Sequence, residues 1–482
     1  MLQAISCSNP KFSAHGDPNW TRAAVGVFLP LVLLFAGAVG ASAQNYPVTV
    51  LSNTPYREIV AMNASGQVAY TDFVMGQAHG YFYNGATKYD LGTFGGDTLI
   101  RAVSSSGQVV GYSNTAGNTA SHAFSWTQAG GLVDLGTFGG SNSRAFAVSS
   151  SGHVVGEAQT AGGSLHAFSW TQAGGKVDLG TLGESDSRAT AVNPAGQVVG
   201  SAYTPGVLGF RAFSWTQAGG MVDLGGPFGG NWVAALAVSA TGQVVGLAHT
   251  AGNSAYHAFS WTQAGGTVDL GTLGGSNSIA RFVTASGQVV GDAQTAGGSF
   301  HAFSWTPAGG MLDLGTLVGS NGESGAVAVS PSGQVVGYAS TVDAFHAFSW
   351  TRAGGMLDLG TFGGTNSYAY AVSPSGHVVG WANPVSEEPF HAFLWTQAGG
   401  LVDLNTRIPT APPGMELNVA THVSDDGTKI GVLTNTGTAV LGARVPASRA
   451  DCMNGGWQQV YRADGSSFKN QGDCIQYVNT GK

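Results

Sequence analysis

Seven histidines stand eleven or twelve positions ahead of an aspartate, each at the same place in a near-copy of one segment. They are His79, His122, His166, His257, His301, His346 and His391, with Asp90, Asp134, Asp178, Asp269, Asp313, Asp358 and Asp403. In an eighth copy Arg211 precedes Asp223. A carboxylate on one imidazole nitrogen fixes the tautomer and leaves the other nitrogen to act as a base or metal ligand. The repetition argues against that use: a site that acts once need not be built eight times, whereas a bond that holds each unit together must be. His122, Trp126 and Asp134, and likewise His166, Trp170 and Asp178, are therefore read as a structural network inside each unit.

Other chemistry finds little support. There is no G-x-S-x-G elbow, H-E-x-x-H helix, P-loop or dinucleotide fingerprint. Strings such as Gly139-Gly140-Ser141-Asn142 lie between strand-like segments and not at a helix start, which gives no phosphate cradle. No run of alternating aspartates suggests calcium. The expectation is a protein with no cofactor, no metal and no enzymatic activity. A formal net charge of −8 without a basic cluster excludes nucleic acid as a partner.

The elements that position these residues are repeats. HAFSW or a close variant ends at Trp126, Trp170, Trp215, Trp261, Trp305, Trp350 and Trp395, with a degenerate copy ending at Tyr83. The spacing between successive tryptophans is 44 to 46 residues. Each unit has four strand-like segments, for example Ala145–Ser149, His153–Ala158, His166–Trp170 and Lys176–Gly180, separated by short Gly/Ser-rich turns. No segment sustains a 3.6-residue period. Four antiparallel strands per unit of about 45 residues predict an all-β propeller of eight or nine blades. Nine copies of an AVSxxGQVVG-like pattern can be traced, and the last lacks its fourth strand. Val48-Thr49-Val50-Leu51 would supply that strand and close the ring, hiding both sheet edges. The composition agrees, with 76 glycines in 482 residues and only 9% charged.

The HAFSW…DLG unit, as in His122–Trp126 through Asp134-Leu135-Gly136, resembles the bacterial extracellular HAF-repeat family over roughly residues 61–404. That resemblance implies export and a repeated β-fold, and carries no defined activity. Cys452–Trp457 and Phe468–Cys474 resemble a short Cys-containing module that ends many exported bacterial proteins.

Three regions are expected: a signal peptide over 1–43, the propeller over 44–445, and a C-terminal tail over 446–482. Lys11 and Arg22 precede an apolar run from Ala23 to Val39, and Ala41-Ser42-Ala43 fits a cleavage site before Gln44. After cleavage no membrane span is expected, and Cys452 and Cys474 remain as a pair suited to a disulfide in an oxidising compartment. The protein is thus expected to be a secreted monomer, extracellular or periplasmic.

Copies within the chain differ mainly where strand four returns to strand one and where strand two meets strand three. These varied positions are expected to lie in loops on one face. Arg144, Arg188, Asn231, Trp232, Arg281, Tyr368 and Tyr370 are the ligand candidates, with aromatic rings to stack on sugars and polar groups to bind hydroxyls, or to serve as protein hot spots. The reading is a binding or surface-interaction module for a glycan or cell-envelope partner. A carbohydrate-active enzyme with acidic residues at the propeller centre is the alternative, and a purely structural envelope protein a third.

Overall fold

In the computed structural model, the described residues are 46–54, 59–206, 209–409, 411–442, 449–453 and 468–480. The expected signal peptide lies outside them. Nine four-stranded antiparallel sheets follow one another along the chain, so the protein is a nine-bladed β-propeller. Blades 1 to 8 cover residues 59–90, 95–134, 139–178, 187–223, 229–269, 274–313, 324–358 and 363–403. The ninth is built from 417–441 and the N-terminal strand Val48–Ser52, which pairs with Thr438–Leu441 as the outermost strand. The count is therefore nine, and the ring closes with the strand foreseen for it.

The strands follow from the pattern of the repeat. In blade 3, Ala145, Val154, Ala158, Phe168 and Trp170 point into a core completed by Val110, Ala123 and Leu135 of blade 2. Every adjacent pair of blades, including the ninth with the first, encloses such a core. The HAFSW phenylalanine is fully buried in each of its seven copies, from Phe124 to Phe393. Burying one ring contributes roughly 2–3 kcal/mol, so the aromatic periodicity of the sequence is also the stabilising periodicity of the ring.

All nine inner strands carry a bulge, at Ala145/Ala147 in blade 3, and seven of them pair with a VVG strand. The glycine of each VVG motif makes room for it: a Cβ on Gly156 would lie 1.9 Å from the carbonyl oxygen of Arg144 on the paired strand. Gly111, Gly200, Gly246, Gly291, Gly337 and Gly380 meet the same constraint. The repeated glycine is thus a packing requirement, and the bulge it permits shapes the inner wall.

Apart from the propeller, the tail holds two short helices, Arg449–Cys452 and Gln471–Thr480. The expected disulfide joins Cys452 to Cys474, whose Cα atoms are 5.7 Å apart. Both cysteines and Phe468 are buried in a small core of their own. Among the described residues no helix is long and apolar enough to cross a membrane.

Candidate functional site

The repeated His–Asp pairs form in all seven blades that have the histidine, with Nδ1 to carboxylate distances of 2.7–3.2 Å. The same carboxylates accept backbone amides two residues on, as Asp134 does from Gly136 at 2.6 Å and Asp178 from Gly180 at 2.8 Å. Each aspartate therefore tethers its own turn and orients the histidine at the head of the neighbouring strand. In blade 4, Asp223 keeps its turn bond to Gly225 at 2.8 Å, while Arg211 leaves Nη1 buried with no partner among the described residues. Turn-holding is thus common to all eight copies and the imidazole is not. A second polar ladder joins strands two and three, from Gln108 Nε2 to Ser125 Oγ at 2.8 Å and in four further blades. Among the described residues no three His, Cys, Asp or Glu side chains gather as metal ligands would.

The varied residues are placed differently from expectation. Arg144, Arg188, Asn231, Trp232, Arg281, Tyr368 and Tyr370 do not lie in loops. They belong to inner strands, which start earlier than the sequence pattern suggested: Gly139–Val148, Ser187–Val192, Gly229–Val238, Gly274–Val283 and Gly363–Val372. In these strands alternate residues such as Ser143 and Ala145 are buried between blades, and those between them face the channel that the nine inner strands surround. A connection that must run from the outer edge of one blade to the inner edge of the next ends in a Gly-Gly pair that already pairs as strand in five blades.

The channel wall has two unlike arcs. On blades 2 to 4 it is basic. The guanidinium groups of Arg101 and Arg144, from adjacent blades, lie 5.4 and 5.3 Å from the ring of Tyr112. Arg188 lies 4.0 Å over Phe146, with Nε 3.7 Å from Glu157. Burial pushes the Glu157 carboxyl above its ordinary value, against the opposing pull of Arg188 and Arg144. Among the described residues no carboxylate is within ion-pair range of Arg101 or Arg144.

On blades 7 and 8 the wall is aromatic. Tyr338 stacks on Tyr368 across the blade boundary at 4.4 Å, Tyr368 lies parallel to Trp381 at 5.9 Å, and Trp381 stacks on Phe390 at 4.4 Å. Tyr370 adjoins Tyr368 at 6.1 Å and is 39% exposed. Gly325 leaves room for this stack, since a Cβ there would meet the Tyr338 ring at 2.6 Å.

Of the remaining candidates, Arg281 adjoins the aromatic arc, where it and Asp292 act on Tyr338, and Trp232 and Asn231 stand apart. Arg281 on blade 6 is bonded to Asp292 at 2.6 Å, and Asp292 also accepts the Ala326 amide of blade 7 at 3.0 Å. Burial raises the Asp292 carboxyl despite the arginine. Glu157 and Asp292 lie three blades apart, each tied to an arginine, and so do not form a facing pair of carboxylates. Trp232 on blade 5 meets His249 edge-on at 5.1 Å, and desolvation lowers the His249 pKa. The Asn231 amide donates to Asn253 at 2.9 Å.

The structure thus groups Arg144 with Arg188 and Tyr368 with Tyr370, sets Arg281 within electrostatic range of Tyr338 beside the second group, and separates Trp232 from both. It adds Arg101, Tyr112, Phe146, Glu157, Asp292, Tyr338 and Trp381, which the sequence reading had not selected. A signal for five of these was present. The residue after each VVG reads Tyr112, Glu157, Ser201, Leu247, Asp292, Tyr338 and Trp381, a position as varied as its neighbours are constant.

No family model and no curated protein match this chain. Solved structures similar to it include the β-propeller domain of the Trilobed protease from Pyrococcus furiosus, at 10% identity and a TM-score of 0.37, over 67% of this chain and 100% of that one. A puromycin-hydrolyzing peptidase of Mycobacterium tuberculosis is similar at 11% identity and a TM-score of 0.39, over 77% of this chain and 57% of that one. Dipeptidyl peptidase 4 of Porphyromonas gingivalis is similar at 11% identity and a TM-score of 0.42, over 78% and 56%. This chain therefore spans a little over half the length of each peptidase. The expectation that the chain is not an enzyme is corrected on this finding: the solved structures similar to it include peptidases, and the absence of a familiar motif does not exclude enzymatic activity.

Proposed function

We propose that this is an exported propeller of HAF-repeat type that binds a ligand at the mouth of its channel, and that the ligand is a glycan. The observation behind this reading is where the copies differ. Buried inner-strand positions repeat as alanine (Ala145, Ala189, Ala235, Ala280, Ala326, Ala369), while the channel-facing residues one step before them are Arg144, Arg188, Ala234, Ile279, Gly325 and Tyr368. Diversity confined to one wall of a uniform scaffold suits recognition. The partnering of Gly325 with Tyr338, and of Tyr112 with two arginines, is more organised than unconstrained drift would leave it. Aromatic faces beside hydrogen-bonding side chains suit pyranose rings.

The test is a glycan array probed with purified residues 44–482, alongside Tyr368→Ala and Trp232→Ala. The expected result is selective binding lost with Tyr368→Ala. Binding to no glycan, with the fold intact by circular dichroism, would rule this reading out.

A further inference from the structure

The two arcs of the channel wall carry more information than their diversity. The basic arc is centred on blade 3 and the aromatic arc lies on blades 7 and 8, four to five blades further round a ring of nine, which places them on opposite sides of the channel. Four arginines, Arg101, Arg144, Arg188 and Arg281, stand on inner strands, and among the described residues two carboxylates, Glu157 and Asp292, lie within ion-pair range of any of them. Asp292 is already bonded to Arg281, and Glu157, within ion-pair range of Arg188, also attracts Arg144. Arg101 and Arg144 thus bring positive charge to the channel beside the Tyr112 ring and outside any ion pair among the described residues, in a chain whose formal net charge is −8.

Building this arc has a cost, since adjacent guanidinium groups repel. Tyr112 between two of them, and Phe146 under the third, ease that repulsion through the negative faces of their rings and hold the groups pointing into the channel. A guanidinium so held offers a planar fork that matches a carboxylate. The lysines differ in place: Lys88 and Lys176 are on outermost strands, and Lys429 sits at a turn of blade 9. A few fixed forks without lysine suit a ligand with discrete carboxylates better than a nucleic acid, whose closely spaced phosphates call for an extended basic track.

We infer that the ligand is an acidic oligosaccharide carrying uronate carboxylates, bound across the channel mouth with its acid groups on Arg101, Arg144 and Arg188 and a sugar ring against the Tyr368–Trp381 stack. This rests on the glycan-binding reading above and makes it specific. The half-ring separation of the arcs requires an oligomer, because one monosaccharide would engage one arc only. The ligand's charge is recognised locally, and the negative field of the rest of the protein keeps highly charged polyanions away.

The experiment uses calorimetric titration of residues 44–482 with oligomers of galacturonate, glucuronate and mannuronate, each beside its carboxyl-reduced neutral counterpart. At least one uronate oligomer is expected to bind, with its reduced form weaker by about tenfold or more, the loss that follows from removing charge-assisted hydrogen bonds. Arg144→Gln with Arg188→Gln should weaken the acid form by a similar factor and weaken the reduced form by much less, narrowing the difference between the two. Arg144→Gln alone should change the melting temperature little, because its exposed side chain makes no ion pair among the described residues, whereas Arg188→Gln leaves the buried Glu157 without its ion-pair partner and should lower it more. Arg144→Lys should recover only part of the lost affinity because it restores charge without the fork. Equal affinity for acid and reduced forms would overturn the acidic-ligand inference and leave glycan binding standing. Binding of acidic peptides but no sugar would overturn both. Binding of uronate that survives the double arginine variant would place the acid groups elsewhere and overturn the assignment to this arc.

Discussion

Replacing Gly156 with alanine tests whether the bulged inner strand positions the channel wall. The added Cβ would lie 1.9 Å from the Arg144 carbonyl oxygen and 2.9 Å from the Ala145 Cα, both backbone atoms of the paired strand. Ordinary carbon–oxygen contacts begin near roughly 3.3 Å, so the two strands must part by more than about 1 Å. That separation breaks the ladder bonds at this rung. Losing two such bonds at roughly 1 kcal/mol each, with a buried group left unpaired at a further 1–3 kcal/mol, gives about 3–5 kcal/mol. Blade 3 should lose that amount locally, raising amide exchange over 143–148 and 154–158 by about a hundredfold or more in hydrogen-exchange mass spectrometry. Gly162→Ala is the control, because its Cβ meets only Thr160 Oγ1, at 3.8 Å. If the two variants exchange alike in these segments, the steric account of the VVG glycine is wrong, and so is the claim that the bulge aims Arg144.

Three further outcomes follow from the same geometry. Asp178→Ala removes the bonds to His166 and Gly180, and on a side chain 38% exposed should cost about 1 kcal/mol of stability while leaving ligand affinity unchanged; a loss of binding with intact stability would refute the structural role of the His–Asp pairs. Burial holds the Glu157 carboxyl above its ordinary value of 4.5, so between the unfolded and folded pKa the folded chain holds more protons than the unfolded one and its stability falls as pH rises. Relative to Glu157→Gln, the wild type should therefore lose stability as pH rises above about 4.5 and level off beyond the folded pKa; parallel melting curves across pH 4–8 would contradict this. Removing residues 46–53 exposes the edge at Thr438–Leu441, and light scattering should show larger species than the full chain gives, whereas an unchanged particle size would mean that closure does not protect this edge.

The propeller was readable because its signals are local and repeated. Each HAFSW segment alternates buried Phe and Trp on one strand face, each turn carries glycine where the backbone needs positive φ, and nine copies reinforce one another. Closure was also readable, since an incomplete ninth unit and a stray N-terminal strand are complementary within the sequence. The site was readable only in part. Tyr368 and Tyr370 share a strand, two residues apart, so their proximity is guaranteed by chain geometry. The pairing of Arg101 with Arg144 about Tyr112 joins residues of two blades, and nothing local to either encodes it.

The amino-acid sequence by itself determined the blade, its four strands, the structural His–Asp pairs and the cysteine partners, because these depend on side-chain periodicity and on contacts within one unit. Tertiary structure alone decided where the varied residues go. The ring brings each inner strand against its neighbours and turns one face of it toward a shared channel. Residues 40 or more positions apart thereby become a basic arc, an aromatic stack and the space between them.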